Sequence, residues 1–255
     1  MERIIVLSLS VLMLVACRKD RSEPEPPAPT PTPQVAGVLK LTVVPIWEGQ
    51  PLQMFTEYRN HADQRVTVEL LKMYLGELEL TRPGTAKRLS DVIYMDLGTG
   101  PVSHYWPVDT GAWTGMRAHL GVPDALNMSD PSLYGAGHPL NVNNGTYWTW
   151  ATGYRFAMFE GRYDLDPAST ASLVNAFAYH PGRSFCYLPL QFDPAGGMRV
   201  AEGDTTELRV LVDVERFFHS SEGVIDMATE NVDHGNVPAL ALKMATNITL
   251  SMSLE

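Results

Sequence analysis

Residues 121–161, GVPDALNMSDPSLYGAGHPLNVNNGTYWTWATGYRFAMFEG, contain the pattern that decides the fold. Within this stretch, over residues 147–159, bulky side chains recur at almost every second position. The side chains that share one face are Trp148, Trp150, Tyr154, Phe156 and Met158. A period of two with one bulky face is typical of a half-buried strand. We therefore predict one long strand over residues 147–159.

On either side of this stretch, strand-sized apolar segments recur between turns rich in Gly, Pro, Asn and Asp. The remaining predicted strands cover residues 38–44, 66–75, 92–97, 116–120, 173–179 and 208–214. Helix is scarce. One helix is predicted over residues 238–247, because proline favours the first helical turn, and residues 214–218 are the second candidate. The predicted fold is mainly β: an antiparallel β-sandwich of the immunoglobulin or jelly-roll type, with one or two short helices appended near the C-terminus.

The N-terminal residues predict a lipid anchor. Arg3 precedes an apolar run over residues 4–16 that is too short to span a membrane comfortably, and small residues lead into Cys17. This arrangement is typical of a bacterial lipoprotein, in which residues 1–16 are a signal peptide and Cys17 is lipidated. The alternative is an ordinary secretory signal with an incidental cysteine.

Lipidation of Cys17 predicts attachment to a membrane of the bacterial cell envelope, through the buried acyl chains. Arg18 stands where an aspartate would signal retention at the inner membrane, which favours the outer membrane, facing the periplasm or the cell surface. Residues 17–36 are rich in proline and predict an extended tether. Residues 37–255 then form a single domain with room for a full core.

The charge of the chain excludes some classes of partner. Its 255 residues have a formal net charge of −10, whereas nucleic-acid binding demands a basic face. No motif of a serine hydrolase, a P-loop enzyme or a zinc protease is present. Two of Glu160, Asp164 and Asp166 could in principle form a glycosidase pair, but ordinary solvation of a loop explains them better. The sequence predicts a binding protein rather than an enzyme.

Residues 121–161 and the segments that follow them resemble the MbnP-like family, copper-binding proteins associated with methanobactin gene clusters. The residues that carry the resemblance are Gly121-Val122-Pro123, Asn127, Asp130-Pro131, His138-Pro139-Leu140, Tyr147-Trp148, Trp150, Gly153-Tyr154, Phe156, Glu160-Gly161, His180, Cys186 and Asn247. The resemblance implies a periplasmic or surface β-sandwich that binds copper. It also implies that in some relatives a partner di-haem peroxidase-like enzyme oxidises a tryptophan to kynurenine, which then helps to hold the metal.

The resemblance makes Trp148 or Trp150 the candidate for oxidation, and His138 and His180 candidate copper ligands. Imidazole suits copper in either oxidation state. His104 and His234 lie in segments that predict loops, and they are further candidate ligands. No two histidines have the spacing of a local metal site, so the fold must bring distant segments together. The alternatives are hydrogen-bonding roles for the histidines and core packing for the tryptophans.

The other three histidines have simpler explanations. We expect His61 in a surface turn, His119 in a solvated or semi-buried position on the alternate face of the strand over residues 116–120, and His219 at a helix end. Cys186 is the only thiol left once Cys17 is lipidated. Its apolar neighbours predict burial, and metal ligation is the alternative.

Two further readings of the sequence stay open. A structural Ca²⁺ ion could bind Asp124, Asn127 and Asp130 together with loop carbonyl groups, although the spacing of an EF-hand is absent. A different class of function is a surface lipoprotein that binds a glycan or a protein partner through an aromatic platform. The side chains of that platform would be Tyr147, Trp148, Trp150, Trp106 and Trp113.

Overall fold

The computed structural model describes residues 36–149 and 153–255. The strands are β1 (Ala36–Trp47), β2 (Gln50–Pro51), β3 (Glu57–Arg59), β4 (Arg65–Arg82), β5 (Thr85–Asp96), β6 (Val102–Asp109), β7 (Gly111–Trp113), β8 (Gly115–Leu120), β9 (Ala157–Asp164), β10 (Asn175–Tyr179), β11 (Leu188–Phe192), β12 (Met198–Val200), β13 (Thr205–Asp213), β14 (His219–Ser220), β15 (Gly223–Val224), β16 (Val232–Asp233) and β17 (Met252–Leu254). The α-helices are α1 (Asp124–Asn127) and α2 (Pro238–Leu250). Short 3₁₀ turns cover Leu97–Thr99, Pro131–Leu133, Val142–Asn144, Ser184–Cys186 and Val214–Phe217.

The signal peptide, Cys17, nearly all of the tether and Trp150 lie outside the described residues. The predictions that concern them stay predictions. Within residues 36–149 and 153–255, neither helix has the length and the apolar composition that crossing a membrane requires.

Two large sheets form the sandwich. The first has the strand order β17-β13-β1-β2, with β6 also paired to β1. The second has the order β11-β8-β4-β9-β10-β16, with β3 and β5 paired to β4. β12-β7 and β14-β15 form two further sheets of two strands each. The mainly β sandwich predicted from the sequence is confirmed.

The core lies where the alternating apolar residues of the two sheets meet. β1 contributes Leu39, Leu41 and Val43, and β13 contributes Val210 and Val212, all almost fully buried. The second sheet and α2 bury their apolar side chains in the same cluster. Because each strand turns only alternate residues inward, polar side chains are left for the outer faces.

β4 organises the second sheet because it is long enough to pair with several strands in succession. Along one edge, residues Arg65 to Met73 pair with β9, and residues Leu75 to Thr81 pair with β8. Along the other edge it pairs with β3 and then β5. The register shifts between Val68 and Leu70, which re-aims the side chains part-way along the strand, as β-bulges do.

The first sheet differs from the antiparallel prediction in one pairing. β1 and β13 run parallel, with Val38 opposite Thr205 and Ile46 opposite Asp213. Alternation of apolar residues is the same in either strand direction, so the sequence pattern could not distinguish the two. A parallel pair at the centre of a sheet needs cover, and β1 is buried along most of its length.

The prediction of one strand over residues 147–159 is wrong for most of its length, because among its described residues only 157–159 lie in a strand, β9. Tyr147 and Tyr154 form an antiparallel bridge, so the chain reverses direction between them. The amide of Trp148 donates to the carbonyl oxygen of Gly153 at 2.8 Å, and Gly153 has φ +133°. The buried Asn127 then accepts the amide of Tyr154 at 2.7 Å. Glycine adopts this φ without strain, and the alternating pattern is interrupted there. The strand begins only at Ala157, the first residue of β9.

The other predicted elements are found with shifted ends. The strands predicted over residues 38–44, 116–120 and 208–214 fall within or overlap β1, β8 and β13. The strand over 66–75 is part of the longer β4, and the one over 92–97 overlaps the end of β5, which stops at Asp96. The strand over 173–179 begins at Asn175. The C-terminal helix is α2, and residues 214–217 form a 3₁₀ turn. His104, expected in a loop, lies in β6 instead.

Gly161 provides a test of how tightly the second sheet is packed. A Cβ atom at this position would lie 1.8 Å from the carbonyl oxygen of Thr67 and 2.7 Å from the ring of Phe177. We expect Gly161→Ala to lower the free energy of unfolding by about 3 kcal/mol, the upper end for overpacking, because a backbone atom must move. Urea denaturation of the purified protein measures this.

Gly135 is the matched control, because an added Cβ there would meet nothing within 4 Å. Gly135→Ala should change the free energy of unfolding by less than about 0.5 kcal/mol. Equal stability of the two variants would contradict the packing described for β9.

Candidate metal centre

Two short strands bring a pair of histidines together. His180 directly follows β10, and His234 directly follows β16. These strands run parallel, with Tyr179 opposite Asp233, and the amide of His180 donates to the carbonyl oxygen of Asp233 at 2.9 Å. Because parallel neighbours end at the same edge of a sheet, the next residue of each strand points into the same space.

The two imidazole rings face each other through the same type of nitrogen. Nδ1 of His180 lies 3.0 Å from Nδ1 of His234, and the ring centroids are 4.9 Å apart. A hydrogen bond at this distance requires one nitrogen to be protonated, as the donor, and the other to be unprotonated, as the acceptor. His180 is 4% exposed whereas His234 is exposed, so the pair joins a buried imidazole to one that solvent reaches.

Glu160 determines which nitrogen is bare. Its Oε1 lies 2.7 Å from Nε2 of His180. This hydrogen bond is the main reason that the pKa of Glu160 lies below its ordinary value. An ionised carboxylate only accepts, so Nε2 of His180 carries the proton and its Nδ1 is left with a lone pair. His234 then donates from its own Nδ1, and burial and the neighbouring His180 lower its pKa and favour its neutral form.

Trp148 lines the same space as the two histidines. A cavity of about 480 Å³ is bounded by Trp148, Arg155, His180, His234 and Asn236. The indole itself is only 3% exposed, so little of its surface faces the cavity. Imidazole nitrogens and an indole therefore share one cavity, which opens to solvent.

Two glycines allow the indole to lie in this position. A Cβ atom at Gly182 would lie 2.7 Å from Cζ3 of Trp148, and one at Gly235 would lie 2.4 Å from its Cη2. Any larger residue at either site would displace the ring. The guanidinium of Arg183 lies 5.9 Å from the ring centroid, a distance typical of a cation–π contact.

Asp233 holds the segment that carries His234. Its Oδ1 accepts the amides of Gly235 at 3.0 Å and Val237 at 3.1 Å. Its other oxygen, Oδ2, is buried and has no hydrogen-bond partner among the described residues. Burial raises the pKa of this carboxyl group. A buried carboxylate oxygen without a partner adds negative potential beside the histidines, which favours a cation in the cavity.

The comparison with protein families decides the relationship of the chain. A family model described as MbnP matches residues 36–237, which include the cavity and every residue that lines it. The chain belongs to the MbnP family. The family predicted from residues 121–161 and the later segments is therefore confirmed.

Among solved structures, MbnP from Methylosinus trichosporium is similar to this MbnP-family chain. The two superpose with a TM-score of 0.51 at 14% sequence identity, over 79% of this chain and 82% of that chain. At this identity the likeness shows a shared fold and no more. No curated protein matches the sequence.

The structure separates the four histidines that the sequence nominated as ligands. His180 and His234 lie together beside Trp148, whereas His138 and His104 lie elsewhere. His138 is exposed, stacks on Tyr134 at 4.1 Å, and accepts the amide of Leu140 at its Nδ1. That bond is the hydrogen-bonding role considered as the alternative for this residue, and the geometry gives His138 no part in the cavity.

His104 is on β6, opposite Leu41 of β1, in the other large sheet. Its ring stacks on Trp106 with centroids 5.9 Å apart, and its Nε2 is buried without a hydrogen-bond partner in the described part of the chain. Burial lowers the pKa of His104. It does not line the cavity that holds His180 and His234.

Sequence reasoning missed the role of Glu160. The sequence pattern predicts a solvated loop for Glu160, but this residue lies on β9 and hydrogen-bonds to His180. The signal that could have found it is its place just before Gly161 in the strand that follows the tryptophans. Asp164, by contrast, accepts from Arg65 and from the amide of Asp166, as a surface carboxylate does.

The side chains considered for calcium each have a local hydrogen bond. Asp124 accepts from Ser184 at 2.6 Å, Asn127 accepts the amide of Tyr154, and Asp130 accepts the amide of Ser132. These contacts explain the three residues without an ion. Calcium binding stays a prediction.

Two members of the aromatic platform cannot present a stacking face. Trp113 is 2% exposed and lies under the guanidinium of Arg82 at 4.4 Å, and Trp148 is 3% exposed. A glycan or a protein partner needs an open ring face, so the geometry does not favour this second function.

Cys186 is buried, as its apolar neighbours predicted. Burial is the main cause that raises the pKa of its thiol to about 12. Because only the thiolate is nucleophilic, we expect iodoacetamide at pH 8 to alkylate Cys186 of the native protein at least about 100-fold more slowly than that of the unfolded protein. Mass spectrometry of the Cys186 peptide against time measures both rates, and equal rates would contradict the burial.

Proposed function

We propose that this MbnP-family protein binds copper through Nδ1 of His180 and Nδ1 of His234, beside Trp148. The observation that carries the proposal is the approach of these two nitrogens to 3.0 Å at the wall of a cavity that opens to solvent. We also propose that it acts as a binding protein, not as an enzyme.

The donor set fits copper. Imidazole binds copper in both oxidation states, and a metal of this kind is held at roughly 2.0 Å from nitrogen, which separates two ligands by about 3 to 3.5 Å. A metal ion can therefore replace the proton shared by His180 and His234 with a small displacement of the rings. Copper bound there would supply redox or carrier chemistry.

Glu160 would act on the metal through His180. In metal sites, a ligating imidazole usually donates its second N–H to a carboxylate, which fixes the ring and strengthens it as a ligand. The 2.7 Å contact between Glu160 and Nε2 of His180 has this form. Arg155, which also lines the cavity, is cationic and opposes a metal ion, but the carboxylate of Glu160 offsets that charge.

Trp148 is the candidate for oxidation that the described residues support. Its ring lines the cavity with the two histidines, so a new donor on that ring would join them. Oxidation to kynurenine would cleave the C2–C3 bond of the indole in a four-electron step that reduces two peroxide molecules to water and gives N-formylkynurenine, and hydrolysis of the N-formyl group by water would release C2 as formate. It leaves an aniline nitrogen and a ketone. We propose that a partner di-haem peroxidase-like enzyme supplies the oxidising equivalents.

The setting that we propose is the bacterial cell envelope. A lipid on Cys17 would hold the protein at a membrane, outer rather than inner, and residues 17–36 would keep the folded domain clear of the head groups. The negative charge of the chain supports anchoring by the lipid. A protein with a net charge of −10 is not attracted to an anionic membrane surface by its charge.

Substitution of the histidine pair tests the copper site. In equilibrium dialysis against a Cu(I) chelator, His180→Ala and His234→Ala should each abolish tight binding, because each removes a metal ligand. Glu160→Gln should lower the affinity by roughly 10- to 100-fold, the usual effect of losing the carboxylate behind a ligating histidine.

His138→Ala is the matched control, because this exposed histidine lies outside the cavity. It should bind copper as the unsubstituted protein does. Full copper binding by both His180→Ala and His234→Ala would overturn the proposed site.

Mass spectrometry of protein purified from its native host tests the modification. We expect copper in the sample and the kynurenine mass shift on Trp148 in the peptide that contains both Trp148 and Trp150, because Trp148 borders the histidine pair. Fragment ions distinguish the two residues. Copper with both indoles intact would refute the oxidation and leave a site made of histidines alone.

A further inference from the structure

A second group of metal-ligating side chains lies elsewhere in the molecule. His61 is in the turn between β3 and β4, Glu215 is in the 3₁₀ turn that follows β13, and His219 begins β14. One ligand atom of each lies within 4.8 Å of the other two. We propose that these three residues form a second metal site, which takes a divalent first-row transition-metal ion such as Zn²⁺ through two imidazole nitrogens and one carboxylate oxygen.

The carboxylate lies at the centre of this group. Oε2 of Glu215 is 2.7 Å from Nε2 of His219, and Oε1 is 3.8 Å from Nδ1 of His61. The two imidazole rings are 4.5 Å apart between centroids. A metal ion that takes one atom from each residue needs nitrogen and oxygen ligands at roughly 2.0 to 2.2 Å, which these separations allow after small movements of the side chains.

Burial of the carboxylate argues for a cation. Glu215 is only 5% exposed, whereas the side chains of His61 and His219 are 23% and 35% exposed. A carboxylate removed from water is costly unless charge or hydrogen bonds compensate it. Here an amide and an imidazole are its hydrogen-bond partners, and a divalent ion would compensate the charge more fully while the exposed rings leave it a path of entry.

The backbone around the three residues is already fixed. The amide of His61 donates to Oε1 of Glu215 at 2.7 Å. The buried Asn60 accepts the amides of Ala62 and Gln64, which sets the turn that carries His61. On the other side, Phe217 and Phe218 are fully buried and anchor the segment between Glu215 and His219. A metal ion would therefore meet ligands that need little further ordering, which favours affinity.

The kind of metal follows from the ligand types. Two imidazoles and one carboxylate suit Zn²⁺ and its divalent neighbours, and three protein ligands leave a position for water. The site shares no residue with the pair formed by His180 and His234, so it does not depend on the function proposed for that pair.

Zinc titration of the tag-free full chain tests the proposal. The starting protein is the double variant His180→Ala/His234→Ala, treated with a chelator and exchanged into buffer, so that the first pair cannot bind. We expect calorimetry and metal analysis after gel filtration to show one equivalent of Zn²⁺. Adding His61→Ala or His219→Ala should weaken that binding by more than about 10-fold, because loss of a ligand costs more than loss of a group behind it.

Two checks separate a metal site from a hydrogen-bonded contact. His138→Ala in the same background removes an exposed histidine that belongs to neither group, so it should leave zinc binding unchanged. His61→Ala removes a partly exposed ring, so it should keep the circular dichroism spectrum of the parent, and its loss of zinc then reports ligation. Failure of the double variant to bind Zn²⁺, or binding that is unchanged by both His61→Ala and His219→Ala, would overturn the proposal.

Discussion

The close approach of β9 to β4 at Gly161 is the constraint on which the second sheet and its site depend. Gly161 pairs with Val68 on one side and with Phe177 on the other, and there is no space for a side chain between them. A slip of one residue would turn every side chain of β9 to the opposite face. Glu160 would then point away from His180. The packing that fixes the register of the sheet therefore also orients the first histidine.

The meeting of His180 and His234 depends on a much smaller contact. β10 and β16 share only two residue pairs, Ala178 with Val232 and Tyr179 with Asp233. So short a ladder is weak by itself, and Asp233 supports it by accepting two amides from the turn that follows. The burial of this carboxyl group has a cost, because one of its oxygens is left without a hydrogen bond in the described structure. A functional pair of histidines would explain why the chain accepts that cost.

The sequence could predict what depends on local pattern and not what depends on pairing. The sequence shows the alternation of apolar residues in β1 and β13, which correctly predicts the β class. It also shows the proline that begins α2, which correctly predicts the C-terminal helix. The direction of β1 relative to β13 was not, because alternation has no direction. The long strand is interrupted at Gly153, next to Tyr154, whose amide donates to Asn127, 27 positions earlier in the sequence. His234 is a candidate ligand from the sequence for its residue type and its predicted loop. Its contact with His180 depends on β16, a strand of two residues that has no periodic pattern.

The two groups of histidines use a carboxylate in opposite ways, and this difference separates their chemistry. Glu160 contacts the far nitrogen of His180, so the atoms that face the cavity are nitrogens, a donor set suited to copper. Glu215 lies between His61 and His219, so one of the donor atoms is a carboxylate oxygen. This ligand set is harder, in the sense of hard and soft ligands, than a set of nitrogens alone. The first carboxylate would tune a ligand, whereas the second would be one. The two donor sets would therefore differ in the ions that they prefer, because selection between metals depends on ligand type and geometry as well as on affinity.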